Sequence, residues 1–227
     1  MGTILASKIV NDVEDILADT GNAVWSVTKL LKWLNVTQRT AAILKPDISV
    51  TTASVVLVAG VAQSVPAGGT SLIRLTWNMG VAPGTTVGAP ISFIEIDALS
   101  QVVPNWTTVT ASATVIHYMW DERNPKTFYV YPQQPTSAFG YVNMIYASPP
   151  ADISAIGLAI TLDDIYEPVL IEGTCYLAYL ENSAHSPYAF ERAQWHWNQF
   201  VTLLGRKDLI EKQDSPRPFR ISTSTQQ

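Results

Sequence analysis

The sequence has a single cysteine, Cys175, and only three histidines among its 227 residues. One cysteine excludes an intrachain disulfide and a cysteine-rich metal site. Cys175 lies in an apolar run with helical spacing, so we interpret it as a buried structural thiol. His117, His185 and His196 belong to no metal-binding or catalytic motif, and His196 is interpreted as a histidine on a helix surface or at an interface. We predict no metal, no cofactor and no catalytic residue.

The sequence also lacks a long hydrophobic run. No stretch approaches ~18 consecutive apolar residues, and the N-terminus has no basic-then-apolar signal pattern. We therefore expect a soluble protein that does not span a membrane and is not exported by a leader. Charged residues make up 15% of the chain, and the formal net charge is -5. This balance argues against a free-standing duplex-DNA binder, although it suits a passage along which DNA slides.

Residues 4–47 have the apolar spacing of two helices joined by a tight turn. Apolar residues recur every three or four positions in each helix. The sequence DTGN at 19–22 predicts the turn, with Gly21 in the left-handed conformation, and Pro46 ends the second helix. Two short helices cannot bury both apolar faces alone. Their partner is therefore predicted at the other end of the chain.

Residues 161–205 predict a second helical hairpin. Thr161 and Asp164 are spaced for a capping-box-like start, and Pro168 is tolerated if it lies in the first turn. Ser186 and Pro187 predict the start of the next helix as its cap and first residue.

The hairpins within residues 1–47 and 161–205 should pack together as one four-helix bundle. Gly205 is predicted to end its last helix. The predicted core of this bundle consists of Ile9, Val13, Ile16, Leu30, Leu34, Leu177, Phe190, Trp197 and Phe200.

Residues 48–160 have few charges and are rich in valine, threonine, alanine, glycine and proline. Short β-branched runs alternate with turn clusters such as PAGG and APGTTVG. They predict an inserted antiparallel β domain of about six or seven strands, a sandwich or barrel, so the fold class is α+β. Within TSLIRLTW, alternation places Ile73, Leu75 and Trp77 inward. The segment DERNPKTFYVYP predicts a hairpin.

Residues 206–227 predict an extended C-terminal tail with five basic and three acidic side chains. Pro216 and Pro218 are incompatible with a helix interior. The tail is either a frayed terminus or a segment that becomes ordered on a partner. The side chains that favour docking are Arg206, Lys207, Lys212, Arg217, Phe219, Arg220 and Ile221.

Both ends of the chain carry short motifs in a fixed order. They are WS at 25–26, LN at 34–35, QR at 38–39, KPD at 45–47, DIYEP at 164–168 and FERAQWHWNQFVTLLGRKD at 190–208. These motifs resemble the head-to-tail adaptors of short-tailed bacteriophages, the tail tubular protein A-like family. The chain departs from the family pattern at Val36-Thr37, and the resemblance does not extend to the β domain.

The resemblance implies a structural virion protein of the tail or neck, without catalysis, that assembles in the host cytoplasm. About twelve copies would form a ring with one side-to-side interface repeated around the axis. The ring would extend the DNA channel and join the portal protein to the tail nozzle, with tail fibres as a further candidate partner. The C-terminal tail would dock on the portal, and DNA would pass without sequence-specific binding.

Two other classes of function stay open at this point. Trp77, Trp106 and Trp120 could stack on sugars, as in a carbohydrate- or host-surface-binding module of a phage tail, although core packing explains them equally well. A hydrolase using His117 or His196 would need a carboxylate or a nucleophile within hydrogen-bond reach of the imidazole.

Overall fold

The computed structural model describes residues 2–80, 85–121, 123–183 and 186–214, and for 206–214 it describes the backbone only. These residues form two compact units. The helical unit contains the described residues of Met1–Ala41 and Asp152–Gln227, and the β unit is Ala42–Ala151. Residues 152–160, which the sequence analysis places in the inserted domain, thus belong to the helical unit.

The described residues form a mixed α+β fold with five α-helices and two β-sheets. None of these helices combines the length and apolar character needed to cross a membrane. The helices are α1 (Ala6–Leu17), α2 (Val27–Leu44), α3 (Ile96–Val102), α4 (Glu167–Asn182) and α5 (Pro187–Asp214). The strands are β1 (Val50–Val56), β2 (Gly60–Ser64), β3 (Ser71–Asn78), β4 (Ser92–Phe93), β5 (His117–Trp120), β6 (Thr127–Gln134) and β7 (Tyr141–Ala147).

The turn after α1 is built by a side chain rather than by glycine. Ala18 and Asn22 adopt left-handed conformations, with φ of 55° and 52°, where Gly21 was expected to do so. The Asp19 carboxylate accepts the N–H groups of Ala23 at 2.8 Å and Trp25 at 2.9 Å. These backbone donors, Trp25 foremost, lower the pKa of Asp19 because they stabilise its charged form.

The start of α4 confirms one prediction from the sequence and contradicts another. Pro168 lies in the first turn of the helix, as predicted. The capping-box prediction for Thr161 and Asp164 is wrong, since it is the Asp163 side chain that accepts the N–H of Ile165, at 3.1 Å. The Asp164 carboxylate is occupied elsewhere, by Thr3 and Ile4.

Helix α5 begins at Pro187, as predicted, but continues past Gly205 to Asp214. The prediction that Gly205 ends the helix and that an extended tail begins at 206 is therefore wrong for residues 206–214. A glycine within a helix costs only about 1 kcal/mol relative to alanine. The following residues, RKDLIEKQD, are mostly good helix formers, so the helix tolerates it.

Helix α4 packs against both α5 and α1. Gly173 permits a close approach, because a Cβ atom there would overlap Thr37 and lie 3.0 Å from the ring of Phe200. Four of the nine predicted core residues are more exposed to solvent than predicted.

Ile16 and Phe190 are exposed by 42% and 47%, so their prediction as core residues is wrong. Ile16 lies at the edge of the buried face of α1, in the last turn before the chain leaves the helix. On α5, Ala189 and His196 are buried, one position before the predicted Phe190 and Trp197, whereas Phe200 is buried as predicted. Leu177 and Trp197 are half-buried, whereas the others are buried: Ile9, Val13, Leu30, Leu34 and Phe200.

The β unit is a sandwich of two sheets. One sheet has the strand order β1-β7-β3, and the other has β2-β6-β5-β4. All pairs are antiparallel except β4 with β5, which is parallel. Both sheets contribute to one apolar core, which includes Leu72, Leu75, Tyr118, Phe128, Val130, Val142 and Met144.

The predicted inward face of β3 is wrong for two of its three residues. Ile73 and Trp77 are exposed by 38% and 42%, whereas Leu75 is buried. The register with β7 shifts between Leu72 and Arg74 and again before Asn78. Each such irregularity inserts an extra residue and reverses the alternation that follows it.

The predicted hairpin is confirmed, since the consecutive strands β5 and β6 pair antiparallel. The back of this sheet carries a second apolar cluster, in which Met119 packs with Leu99 of α3 and with Trp106. The β-branched run ISFIEID at 91–97 predicts a strand. The strand is only two residues long there, and α3 follows because Ile96, Leu99 and Val103 have helical spacing.

Candidate assembly surfaces

Two buried amides on α2 bind the segment that returns to the helical unit. Asn35 accepts the N–H of Ile153 at 2.8 Å and donates to its carbonyl at 3.0 Å. Gln38 accepts from the backbone N–H of Thr161 at 3.2 Å and from its hydroxyl at 2.9 Å. Gln38 also donates to Asn35 at 3.3 Å, so both amides are oriented by each other as well as by the segment.

A second set of polar contacts joins the N-terminal segment to the start of α4. The Asp164 carboxylate accepts the hydroxyl and the N–H of Thr3, both at 2.6 Å, and the N–H of Ile4 at 3.0 Å. Lys8 forms an ion pair with Glu167. The hydroxyl of Thr3, followed by the N–H of Ile4, lowers the pKa of Asp164.

These contacts explain the motifs at the two ends of the chain. LN at 34–35, QR at 38–39 and DIYEP at 164–168 supply Asn35, Gln38 and Asp164. Arg39 adds an ion pair with Asp152. The motifs therefore hold together parts of the helical unit that are far apart in the sequence. Sequence reasoning identified these residues without finding this role, because nothing in the motifs indicates which backbone segment they bind.

His196 is buried between α4 and α5, so the helix-surface alternative of its interpretation is wrong. It is 2% exposed, and its Nδ1 lies 2.7 Å from the Glu172 carboxylate. Its ring stacks on Tyr179, with centroids 5.3 Å apart, and meets Trp195 edge-on at 4.8 Å. The pair joins α4 to α5 in the interior of the helical unit.

At His196 the hydrolase hypothesis gains the carboxylate of Glu172, but the nearby thiol is not an accessible nucleophile. The neighbouring thiol, Cys175, is buried, and burial raises its pKa to about 12, so it is not a thiolate at neutral pH. The Nδ1 of His117 is buried and has no hydrogen-bond partner among the described residues, and its ring stacks on Tyr131. His185 lies outside the described residues. Within the described ranges, no group of three or more acidic, histidine or cysteine side chains could hold a metal.

The most conspicuous exposed side chains of the helical unit lie on α5. Tyr188, Arg192 and Trp195 are spaced i, i+4 and i+7, which places them on one face of the helix. Tyr188 and Trp195 are exposed by 62% and 54%. Arg192 donates to the Tyr188 hydroxyl at 3.0 Å and lies over the Tyr179 ring, 5.9 Å from its centroid.

We call the exposed side chains of Tyr188, Arg192 and Trp195 the α5 surface. Tyrosine, tryptophan and arginine are the residues enriched at protein interfaces and among their binding hot spots. The ring of Tyr179 and the hydroxyl of Tyr188 hold the guanidinium in place, so it is preorganised on this face.

Three of the predicted docking residues, Arg206, Lys207 and Lys212, lie on the C-terminal turns of α5, where only the backbone is described. The other four, Arg217, Phe219, Arg220 and Ile221, lie outside the described residues. Among the core residues, Leu177, Trp197 and Phe200 line one small apolar recess together with Thr37, Thr40, Gly173 and Tyr176.

The three tryptophans of the β unit do not share one exposed face. Trp106 is buried against Tyr129 and donates from its indole nitrogen to Ser100. Trp120 is half-buried and packs against the sandwich core. Only Trp77 of the three is exposed. Core packing thus accounts for two of these side chains.

The model of the family described as SU10 adaptor protein matches residues 5–222. The match covers the motifs at both ends and the whole β unit, which the motifs alone did not reach. No curated protein matches the chain.

Proposed function

We propose that this chain, which belongs to the SU10 adaptor protein family, forms a ring below the portal and joins the portal to the tail nozzle. Membership of the family makes it a structural adaptor protein of a bacteriophage, located in the virion neck. We infer the ring, its neighbouring proteins and the DNA channel from this membership. The expectation that the protein is not an enzyme agrees with the structural class of the family.

The observation that supports the proposal most strongly is the extent of the family match. It begins one residue before α1 and continues beyond α5, so it includes both units rather than one shared module. A carbohydrate-binding module would be expected to match over its β unit only. The polar contacts of Asn35, Gln38 and Asp164 add support, because they hold the two ends of the matched region together.

We propose that α1, α2, α4 and α5 act as a four-helix bundle whose α5 surface contacts a neighbouring copy. A ring of about twelve copies needs two different patches on each copy, so that the contact can repeat around the axis. Exposed tyrosine, arginine and tryptophan supply one such patch with large contact areas and few rotatable bonds. Tail fibres would bind the outer face of the same ring.

The charge of the chain supports a channel lining that does not bind DNA. Residues 161–205 contain six acidic residues and one arginine. Acidic side chains repel the phosphate backbone, so DNA would slide through the ring without being held.

The basic C-terminal part of the chain, 206–227, is proposed to dock on the portal. Its five basic residues would pair with carboxylates of the portal, and Phe219 and Ile221 would serve as apolar anchors. The test is to remove residues 215–227, which follow α5, and to measure both melting and co-sedimentation with purified portal rings. We expect unchanged melting and lost co-sedimentation. A second variant replaces Arg217 and Arg220 by glutamine. It keeps the full length of the chain and should bind portal rings more weakly.

A truncated chain that still decorates portals at normal stoichiometry would place the docking surface on the helices instead. Light scattering gives a second check. Because each side-to-side contact is weak alone and gains from a template, the isolated chain should be mainly a monomer near 24.8 kDa. A stable ring without portal would refute templating and leave the adaptor function standing.

A further inference from the structure

The β unit has four sheet edges, and three of them are protected against pairing with another chain. Strand β3 has two register irregularities and carries the charged Arg74. Strand β2 has five residues and a register shift, and β4 has only two residues. Bulges, charges and short length are the devices by which proteins block edge strands.

The fourth edge, β1, has none of these devices. Its seven residues, VTTASVV, contain no charge and no proline, and they pair with β7 in one continuous register from Val50 to Val56. Both of these valines are nearly half exposed. No other strand pairs with β1 among the described residues, so alternate N–H and C=O groups of its outer edge are free for a further strand.

The chain itself contains one segment suited to this edge. After the end of α5 at Asp214, residues 215–227 follow, and within them the stretch FRISTST at 219–225 alternates like a strand. Phe219 and Ile221 fall on one face, and Arg220 and Ser222 fall on the other. The stretch is seven residues long, as is β1, and Pro216 and Pro218 before it favour extended backbone.

We propose that residues 219–225 of one copy add as a strand to the β1 edge of a neighbouring copy. The face with Phe219 and Ile221 would cover Val55, which is half-buried and packs against the sandwich core. The face with Arg220 would lie beside Thr52 and Ser54, which are exposed. Main-chain hydrogen bonds supply the affinity in such strand addition, and the alternate side chains supply specificity.

We assign the accepting β1 strand to a neighbouring copy because an exchange of this kind forms a head-to-tail contact. Each copy donates one segment and accepts another, so the contact repeats and closes a ring. This inference rests on the proposed ring and refines it, because Phe219, Arg220 and Ile221 then contact the neighbouring β1 instead of the portal. The basic residues on α5 remain available to the portal.

The experiment uses full-length chains with single cysteine substitutions, mixed at high concentration with and without purified portal. One chain carries Thr52→Cys or Ser54→Cys on β1, and the other carries Ser222→Cys. The native Cys175 is buried and does not compete. The matched control is Ser64→Cys, an exposed serine on the bulged edge β2. We expect disulfide-linked dimers from the β1 variants in at least about tenfold excess over the control, because pairing raises the effective concentration of the two thiols.

A second variant tests the strand without touching the folded units. Ser222→Pro removes a main-chain donor from the added strand, whereas Ser222→Ala keeps it. We expect at least about a tenfold loss of ring assembly on portals for the proline variant and little change for alanine. If rings form normally with Ser222→Pro and no β1 cross-link appears, the strand proposal is wrong and the adaptor function stands. Cross-links without any binding to portals would support the strand and refute the portal proposal, and the absence of both would refute both.

Discussion

The helical unit and the β unit both use polar side chains to hold irregular backbone, but over very different distances in the sequence. In the helical unit, Asn35 binds Ile153 across 118 residues, and Asp164 binds Thr3 across 161. In the β unit, Asn78 binds the N–H and the C=O of Val115, both at 2.8 Å, across only 37 residues.

In the β unit, hydrogen bonds between backbone groups join the strands that are farthest apart in the sequence. Strands β1 and β7 pair Val50 with Ala147, and backbone pairing accepts many side chains. The closure of the helical unit depends on particular amides and carboxylates, which few other residues can replace. This difference explains why the motifs of the chain cluster at its two ends and why the β unit shows only an alternation of residue types along its strands.

The largest expected effect comes from a charge in the interior of the helical unit. Leu34 is fully buried, so Leu34→Asp places a carboxylate in the interior, away from water. The cost is several kcal/mol, comparable with the whole stability of a domain. We expect insoluble or unfolded protein, measured by solubility and circular dichroism. The control on the same helix is Ile43→Asp, at a position that is 77% exposed, and it should melt normally.

A core truncation in the β unit should cost slightly less. Phe128 is fully buried between the two sheets, and Phe128→Ala should lower the free energy of unfolding by about 3–5 kcal/mol. Phe93→Ala removes the same atoms from a half-exposed position and should cost much less. Urea denaturation of both variants measures the difference. Equal losses would show that Phe93 contributes as much packing as the core.

The two buried asparagines give the sharpest comparison between the units. Asn35→Leu leaves the N–H and C=O of Ile153 without their partner, and Asn78→Leu does the same to Val115. Each change should cost about 1–3 kcal/mol for the unsatisfied groups. Hydrogen exchange should rise at Ile153 in the first variant and at Val115 in the second. Faster exchange throughout both units in either variant would contradict a local role.

The smallest expected effect is the loss of stability at acidic pH. Asp19 and Asp164, whose pKa values are lowered in the folded chain, both lie in the helical unit. A carboxyl with a folded pKa below its unfolded value stabilises the fold above the unfolded pKa, and this is lost as pH falls through the folded one. Stability of the helical unit should therefore decline below about pH 4.

Thr3→Val removes the strongest cause of the lowered pKa of Asp164, namely its hydroxyl hydrogen bond. Melting measured from pH 6 to pH 2 should show a flatter decline in this variant, and flatter still in Asp164→Asn. The same slope in all three chains would mean that other carboxyls govern the acid response.

Helix starts and the β hairpin followed from local chemistry in the sequence. Pro187 begins α5 and Pro168 lies in the first turn of α4, because proline suits just those positions. The hairpin of β5 and β6 followed from its turn residues. The motifs at the chain ends were sufficient to suggest an adaptor, and the family match agrees with them.

The sequence alone therefore determined most of the helical and extended segments and the starts of α4 and α5, because these depend on neighbouring residues, but it did not determine α3 or the helical residues 206–214. Tertiary structure decided which face of each helix is buried, as the exposure of Phe190 and the burial of His196 show. It also decided the bulges of β3 and the partners of Asn35 and Asp164. Those outcomes depend on contacts with residues that are distant in the sequence, from 24 positions for His196 and Glu172 to 161 for Asp164 and Thr3, and no local spacing encodes them.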